Sequence, residues 1–446
     1  MSLDKMVDSV QLDANLTAIA NKIRSAGGIA NTLSFPNDFI SAIDDIGRED
    51  LTIPKDVDII DYDGRLLYSY TKDEFLALST LPANPVNKGL TAQGWNWTLT
   101  DAQEFVEEYG ALVIGQNYTT NDGKTRVYVN IPNDYAQVGR AFSINANLAS
   151  GTTCIVNWGD GNMSSMFGSN SNKSVNHVYE QAGNYIIELE VTVGSLKLGY
   201  LGANKTLTDL NMQDKLCITK VEIGEGVTGL CRNTFFEMPN LKSVSIPITC
   251  IDHDKGQDYS MFSGVNLTGI VFPTGTPGQD TKIVGNSVND ILHLKYIAIP
   301  KSMNGFRMNG NYTRSLRKII FPSYTTSTTL QTYLYDTNSL THFIIPGTYT
   351  TIPGDRCRSS LIKSLIIPAT VTSISATAFI YNGYCEEVHL LPTTPPTLSN
   401  VNAFGSIGSN CVFYVPYSAD HSILAAYQSA TNWSTYASKM QEEPQS

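Results

Sequence analysis

Apolar positions follow a helical period near the N-terminus, alternate through the middle of the chain, and then recur at intervals of 22–27 residues. Leu16, Ile19, Ala20 and Ile23 fall at i, i+3, i+4 and i+7, which predicts a helix over 13–25 that Gly27 and Gly28 stop. A second short helix is expected from Pro36 through Phe39, Ile40, Ile43 and Ile46. Neither helix can stand alone, so residues 1–50 read as an attachment segment that packs on the same chain or on a partner subunit.

Residues 51–125 read as a small α/β module. VDIIDYDGRLLYSYT predicts a hairpin turning at Asp63-Gly64. Thr71 followed by Glu74 has the form of a capping box, in which each side chain bonds the other's backbone N–H, opening a helix through Phe75, Leu76 and Leu78. A second helix, through Phe105, Val106 and Tyr109, is expected to be capped by Thr100 and Gln103. VYVNIP then starts a strand-rich region over 126–195. There TTCIVNWGDG ends in a tight turn, and Tyr185, Ile187, Leu189 and Val191 alternate along one strand face.

From about residue 205 one seven-residue unit, Leu-x-x-apolar-x-apolar-Pro, repeats. It ends at Pro247, Pro273, Pro300, Pro322, Pro346 and Pro368, after a degenerate copy ending at Gly224, with spacings of 23, 26, 27, 22, 24 and 22 residues. A unit of this kind supplies one short strand and cannot bury its apolar edge alone, so neighbours must stack into a solenoid. The Leu and the residues three and one before each Pro should face inward: Leu241, Val244, Ile246, Leu294, Ile297, Ile299, Leu340, Phe343 and Ile345. Residues four and two before Pro should face the concave sheet. The first of these rows, Ser243, Gly269, Tyr296, Lys318, His342 and Ser364, is mostly polar, as a solvated face would be. The second ends in Ile320, Ile344 and Ile366, an apolar stripe that a monomer seldom leaves open. Either strand propensity explains those isoleucines, or an insertion or a second subunit, as in a homotrimer, covers them.

The finer patterns carry resemblances. Trp158-Gly159-Asp160-Gly161 with His177, Tyr179, Gly183 and Tyr185 resembles the polycystic kidney disease (PKD) domain. That family implies an immunoglobulin-like β-sandwich serving as a spacer or adhesive module. Pro368-x-x-Val371-Thr372-x-Ile374 leading to Ala378-Phe379, and Val227-Thr228-x-Leu230 leading to Phe235, resemble BspA-like leucine-rich repeats. The segment from Thr393 through VFYVP to NWSTYASKM resembles that family's helical C-terminal cap. IANKIRSAGG, LSFPNDFISAI, YSYTKDEFLAL and LTAQGWNWTL are similar to segments of tail and baseplate proteins from phages of gut bacteria. The expected chain is thus mainly β and multi-domain: helical segment 1–50, α/β module 51–125, PKD-like sandwich 126–195, repeat solenoid 196–392 and cap 393–446.

Composition narrows the function. Charged residues are only 16% and net charge is −11, which disfavours nucleic acid as a partner. No stretch approaches a membrane span, and the N-terminal residues lack a signal-peptide core. Seven cysteines, with no C-x-x-C pair, read as scattered buried thiols or as a staple between neighbouring repeats.

No nucleophile elbow, zincin helix, P-loop or dinucleotide fingerprint occurs, so no catalytic residue and no cofactor is expected. Asp252, Asp254 and Asp258 stand at alternate or near-alternate positions in an inserted loop, as either a solvated acidic turn or a calcium site. Trp95 and Trp97 offer core packing or a sugar-stacking platform. With Ile320, Ile344, Ile366, Tyr296 and His342 they make up the candidate binding set. The reading reached is a non-catalytic component of a phage or prophage tail, assembled in the bacterial cytoplasm. It would attach to other tail subunits through its N-terminal segment and bind a protein or glycan on the host surface. A BspA-like adhesin on a bacterial surface and a glycan-cleaving tail component are the alternatives.

Overall fold

Alternation in the middle of the chain becomes paired strands, and the long-period repeat becomes a stack of short parallel ones. The computed structural model describes residues 55–201, 206–208, 211–253, 261–275, 293–302, 315–320, 339–345, 347–358 and 360–444, with the backbones of the strands Lys282–Val284, Arg307–Asn311 and Tyr333–Tyr335. The helices expected between 13 and 46 lie outside these residues.

The α/β module is a four-stranded sheet with two helices. Its elements are β1 (Val57–Ile60), β2 (Leu66–Tyr70), α1 (Lys72–Leu76), β3 (Leu90–Trp95), α2 (Leu99–Tyr109) and β4 (Leu112–Thr120). The sheet order is β2-β1-β4-β3, with β1 and β4 parallel at the centre. The hairpin turns through Gly64, whose φ of 86° favours glycine. Thr71 and Glu74 form the expected capping box. The second cap is corrected: Thr98, not Thr100, caps α2, accepting the N–H of Asp101. Thr98-x-x-Asp101 is the earlier Thr-x-x-acid frame, and Gly110 in the left-handed region ends the helix.

Residues 125–198 build two facing sheets from β5 (Thr125–Ile131), β6 (Ala141–Leu148), β7 (Thr153–Asn157), β8 (Met163–Phe167), β9 (Ser171–Val178), β10 (Gly183–Val193) and β11 (Leu196–Leu198). Their inner residues, among them Phe142, Ile144, Trp158, Tyr179, Ile187 and Leu189, are buried. This layer does not stop where the repeats begin. The first two repeat strands, β12 (Ile218–Glu222) and β13 (Val227–Leu230), join its sheets: β12 pairs antiparallel with β5, and β13 pairs parallel with β11. β12 also pairs parallel with β14 (Ser243–Ser245), so one sheet runs from β5 and its neighbours into the repeats.

Beyond it the repeats form a β-solenoid, and the chain is mainly β with few helices. Each rung has a strand of three or four residues, as at Gly269–Val271, Tyr296–Ala298, Lys318–Ile320, His342–Ile344 and Ser364–Ile367. All nine residues expected to face inward are at most 4% exposed. They join one apolar core that runs from Val127 in β5 to Met440. All seven cysteines are buried. At the C-terminal end the strands Glu387–Leu390, Val412–Val415 and Met440–Glu442 extend the parallel sheet. Helix α5, counted after Asn133–Gln137 (α3) and Met212–Cys217 (α4), spans Ser422–Ser429 and packs beside them with Trp433 and Tyr436 buried.

Candidate binding site

The concave face is where strand alternation sends Tyr296, Lys318, His342 and the three isoleucines, and most of it is already occupied. β4 of the α/β module lies across the rungs. Val271, Ala298, Ile320 and Ile344 are buried in one apolar cluster with module residues such as Val113 and Ile60. The close approach depends on missing side chains. A Cβ on Gly115 would lie 2.5 Å from the Val271 side chain, and one on Gly269 would lie 2.3 Å from Gly64 Cα.

Hydrogen bonds cross the seam from several buried polar groups, as burial of such groups favours. Asn96 accepts the Gly115 N–H at 2.9 Å and donates to the carbonyls of Phe272 and Ala298, both at 3.1 Å. Trp97 Nε1 donates to Ile299 O at 2.8 Å, and Asn117 Nδ2 to Ile246 O at 3.0 Å. Lys318 Nζ donates to the Lys55 and Asp56 carbonyls at 2.6 and 3.0 Å and pairs with Asp58. Burial pushes its amine below the usual lysine range, and Asp58 offsets this only in part. His342 Nε2 lies 3.5 Å from Asp56 Oδ1. Burial raises the Asp56 carboxyl, but the bonds from His342 and the Lys72 backbone outweigh it and hold it below its ordinary value.

The expectation of a solvated polar row is therefore corrected. Ser243, Gly269, Tyr296 and Lys318 are buried and His342 is half-buried, because an element more than a hundred residues earlier in sequence lies over them; Ser364 is exposed. Of the candidate binding residues, Ile320, Ile344, Tyr296 and Trp97 are buried at this seam. Trp95 is half-buried at the end of β3, its Nε1 bonded to Pro82 O at 2.9 Å. It does not share a strand face with Trp97, since β3 ends at Trp95. Asp252 pairs with Lys197 at 2.7 Å, whereas Asp254 and Asp258 lie outside the described residues. Among the described residues no group of three metal-ligating side chains converges.

Past Ile344 the module ends and the concave face opens. Ile366 stands half-buried there, in register with His389 and then Tyr414 and Gln441 on the following strands. His389 stacks on Tyr414 at 5.0 Å, with Nδ1 2.6 Å from Glu443 and Nε2 3.3 Å from Glu387. Where the end of α2 meets these rungs there is an apolar cavity of about 190 Å³. Glu108 and Tyr109 form its module side, and Ile344, Ile366, Pro368 and Leu391 lie on its solenoid side. Sequence reading missed His389, Tyr414, Glu108 and Tyr109. Spacing held a signal for the rungs of the first two: Pro392 and Pro416 continue the ladder at 24-residue steps after Pro368, so EEVHLLP and VFYVP are further rungs. Tyr414 is in the outward position, whereas His389 stands three residues before Pro392, one position off the outward row. Nothing local marks Glu108 and Tyr109.

Two overlapping stretches, residues 211–276 and 257–386, match the BspA type Leucine rich repeat region in six copies. The solenoid is built of BspA-type leucine-rich repeats. No curated protein matches the chain. BspA-type repeats suggest a role in surface adhesion or protein binding. Among the described residues no helix is long and apolar enough to cross a membrane.

Proposed function

We propose that this protein is a non-catalytic adhesion protein that recognises a macromolecule on a bacterial surface through its BspA-type solenoid. The observation that carries the reading is the division of the concave face. The chain's own module fills the rungs from Gly269 to Ile344, and those from Ser364 onward are open, with Ile366, His389 and Tyr414 outward. Repeat proteins present ligands with a broad, rigid sheet of this type. Pre-ordering it costs no conformational entropy at the moment of binding.

Two settings suit this role equally: the tail of a phage or prophage virion, supported by the N-terminal sequence phrases, and the bacterial cell surface, supported by the repeats. In the PKD-like reading, the sandwich is a rigid spacer that shares its sheet with the solenoid. Labelled full-length protein should bind intact bacterial cells saturably, with binding lost after the surface is stripped. Absence of saturable binding across a broad panel of cells would overturn the adhesion reading. Immunogold labelling of particles and of cells separates the two settings.

A further inference from the structure

We propose that the cavity between the end of α2 and the open rungs takes one aliphatic or aromatic side chain of a partner protein, flanked there by lysine or arginine. The proposal rests on the adhesion reading and specifies its partner. Three observations carry it. The apolar stripe Val271, Ala298, Ile320, Ile344 is covered by the module, and it continues into Ile366, which is only half covered. The cavity there, at about 190 Å³, suits one large apolar side chain, and exposed Leu391 extends its apolar wall. Glu108 is the carboxylate on the cavity lining, and on the next rung His389, the register neighbour of Ile366, has Glu387 and Glu443 beside it. His389 lies between the last two and is the basic group facing them, so carboxylates outnumber it.

Charge complementarity selects the occupant. An anchor flanked by cations is attracted, and an acidic one is repelled. A second copy of this chain, at net charge −11, is disfavoured by the same reasoning. The module makes the site composite, because Glu108 and Tyr109 belong to a helix that precedes Ile344 and the other solenoid residues of the cavity by more than two hundred residues.

The test uses the full chain and three short fluorescein-labelled peptides on a polar background: leucine between two lysines, leucine between two glutamates, and serine between two lysines. Fluorescence anisotropy should show binding of the first, with the other two weaker by about tenfold or more, as expected for a lost apolar anchor or reversed charge. Ala369→Trp, which fills the cavity from its exposed rim, should abolish binding of the first peptide. Leu391→Ser, at an exposed position, should weaken it and serves if the tryptophan variant misfolds. No binding of the lysine-flanked leucine peptide, equal binding of all three, or unchanged binding by both folded variants overturns the proposal. Displacement by a neutral oligosaccharide also overturns it, in favour of a glycan. Cell binding measured in parallel separates the readings. Variants that adhere like the parent remove the cavity but keep adhesion, whereas a parent that does not adhere removes adhesion itself.

Discussion

Lys318 Nζ lies 2.7 Å from Asp58 Oδ2 across the seam between solenoid and module, with the two side chains only 3% and 7% exposed. The lysine occupies a concave position where a solvated side chain would be expected, yet its charge is matched by a carboxylate from an independent part of the chain. Two backbone carbonyls, of Lys55 and Asp56, complete its donor set. Burying an ion pair is roughly neutral when both partners are present and costly when one is missing. Lys318→Met should lower stability by about 3–5 kcal/mol in urea unfolding, by leaving Asp58 uncompensated. The double variant Lys318→Met, Asp58→Asn should recover much of that loss. If Lys318→Met alone unfolds like the parent, the pair does not hold the seam.

Gly269 is the point where the module's hairpin touches down. A Cβ there would meet Gly64 Cα at 2.3 Å, with backbone on both sides unable to yield. Gly269→Ala should cost roughly 1–3 kcal/mol through overpacking and lift the module from the stripe. Increased binding of a hydrophobic dye and proteolytic cleavage within 55–120 would report it. Gly183→Ala, where the added atom finds ordinary contact at 3.5 Å, is the control.

His253 sets an acid dependence. Its Nδ1 accepts the Leu230 N–H at 3.2 Å, so the proton sits on Nε2 and the ring is neutral. Burial drives its pKa down to about 4. The unfolded chain, with an ordinary value near 6.5, takes up a proton that the folded chain refuses. The stabilisation is complete above about pH 6.5 and is lost as pH falls towards 4, up to about 3 kcal/mol. Urea midpoints at pH 7 and pH 5 should diverge in the parent and converge in His253→Asn.

Asp160 is a turn residue by its partners: Oδ1 accepts the Asn162 N–H at 3.1 Å, and Oδ2 lies 2.6 Å from His177 Nε2. Burial raises its carboxyl, but these bonds outweigh burial and keep it below the usual range. His177 is itself stacked on Trp158 at 5.1 Å. Asp160→Asn should lower stability by about 1 kcal/mol in thermal unfolding and leave cell adhesion unchanged. Loss of adhesion without loss of stability would assign Asp160 a binding role.

Leu294 begins a rung and is fully buried in the continuous core. Leu294→Ala should cost about 2–5 kcal/mol, measured by urea unfolding, because neighbouring rungs cannot collapse into the space. A cost below 1 kcal/mol would mean that the rung is not stacked as described.

Sequence alone determined the rung register, because a period-two strand leaves only one set of positions able to fill the core: Leu294, Ile297 and Ile299 are inside for that reason. It also determined the Thr71–Glu74 capping box and the Asp63-Gly64 turn, whose chemistry is complete within a few residues. It singled out Ile320, Ile344 and Ile366 as an apolar stripe that either strand propensity or a covering element explains, since a row of large aliphatic side chains is costly in water. What covers them was decided only by the tertiary structure. Alternation tells which face a side chain takes and is silent on what lies opposite, so nothing near Lys318 in sequence points to Asp58, 260 residues away. The union of β12 with β5 is of the same kind. An unpaired strand edge can accept any extended segment, and which one it meets is settled by how the whole chain packs.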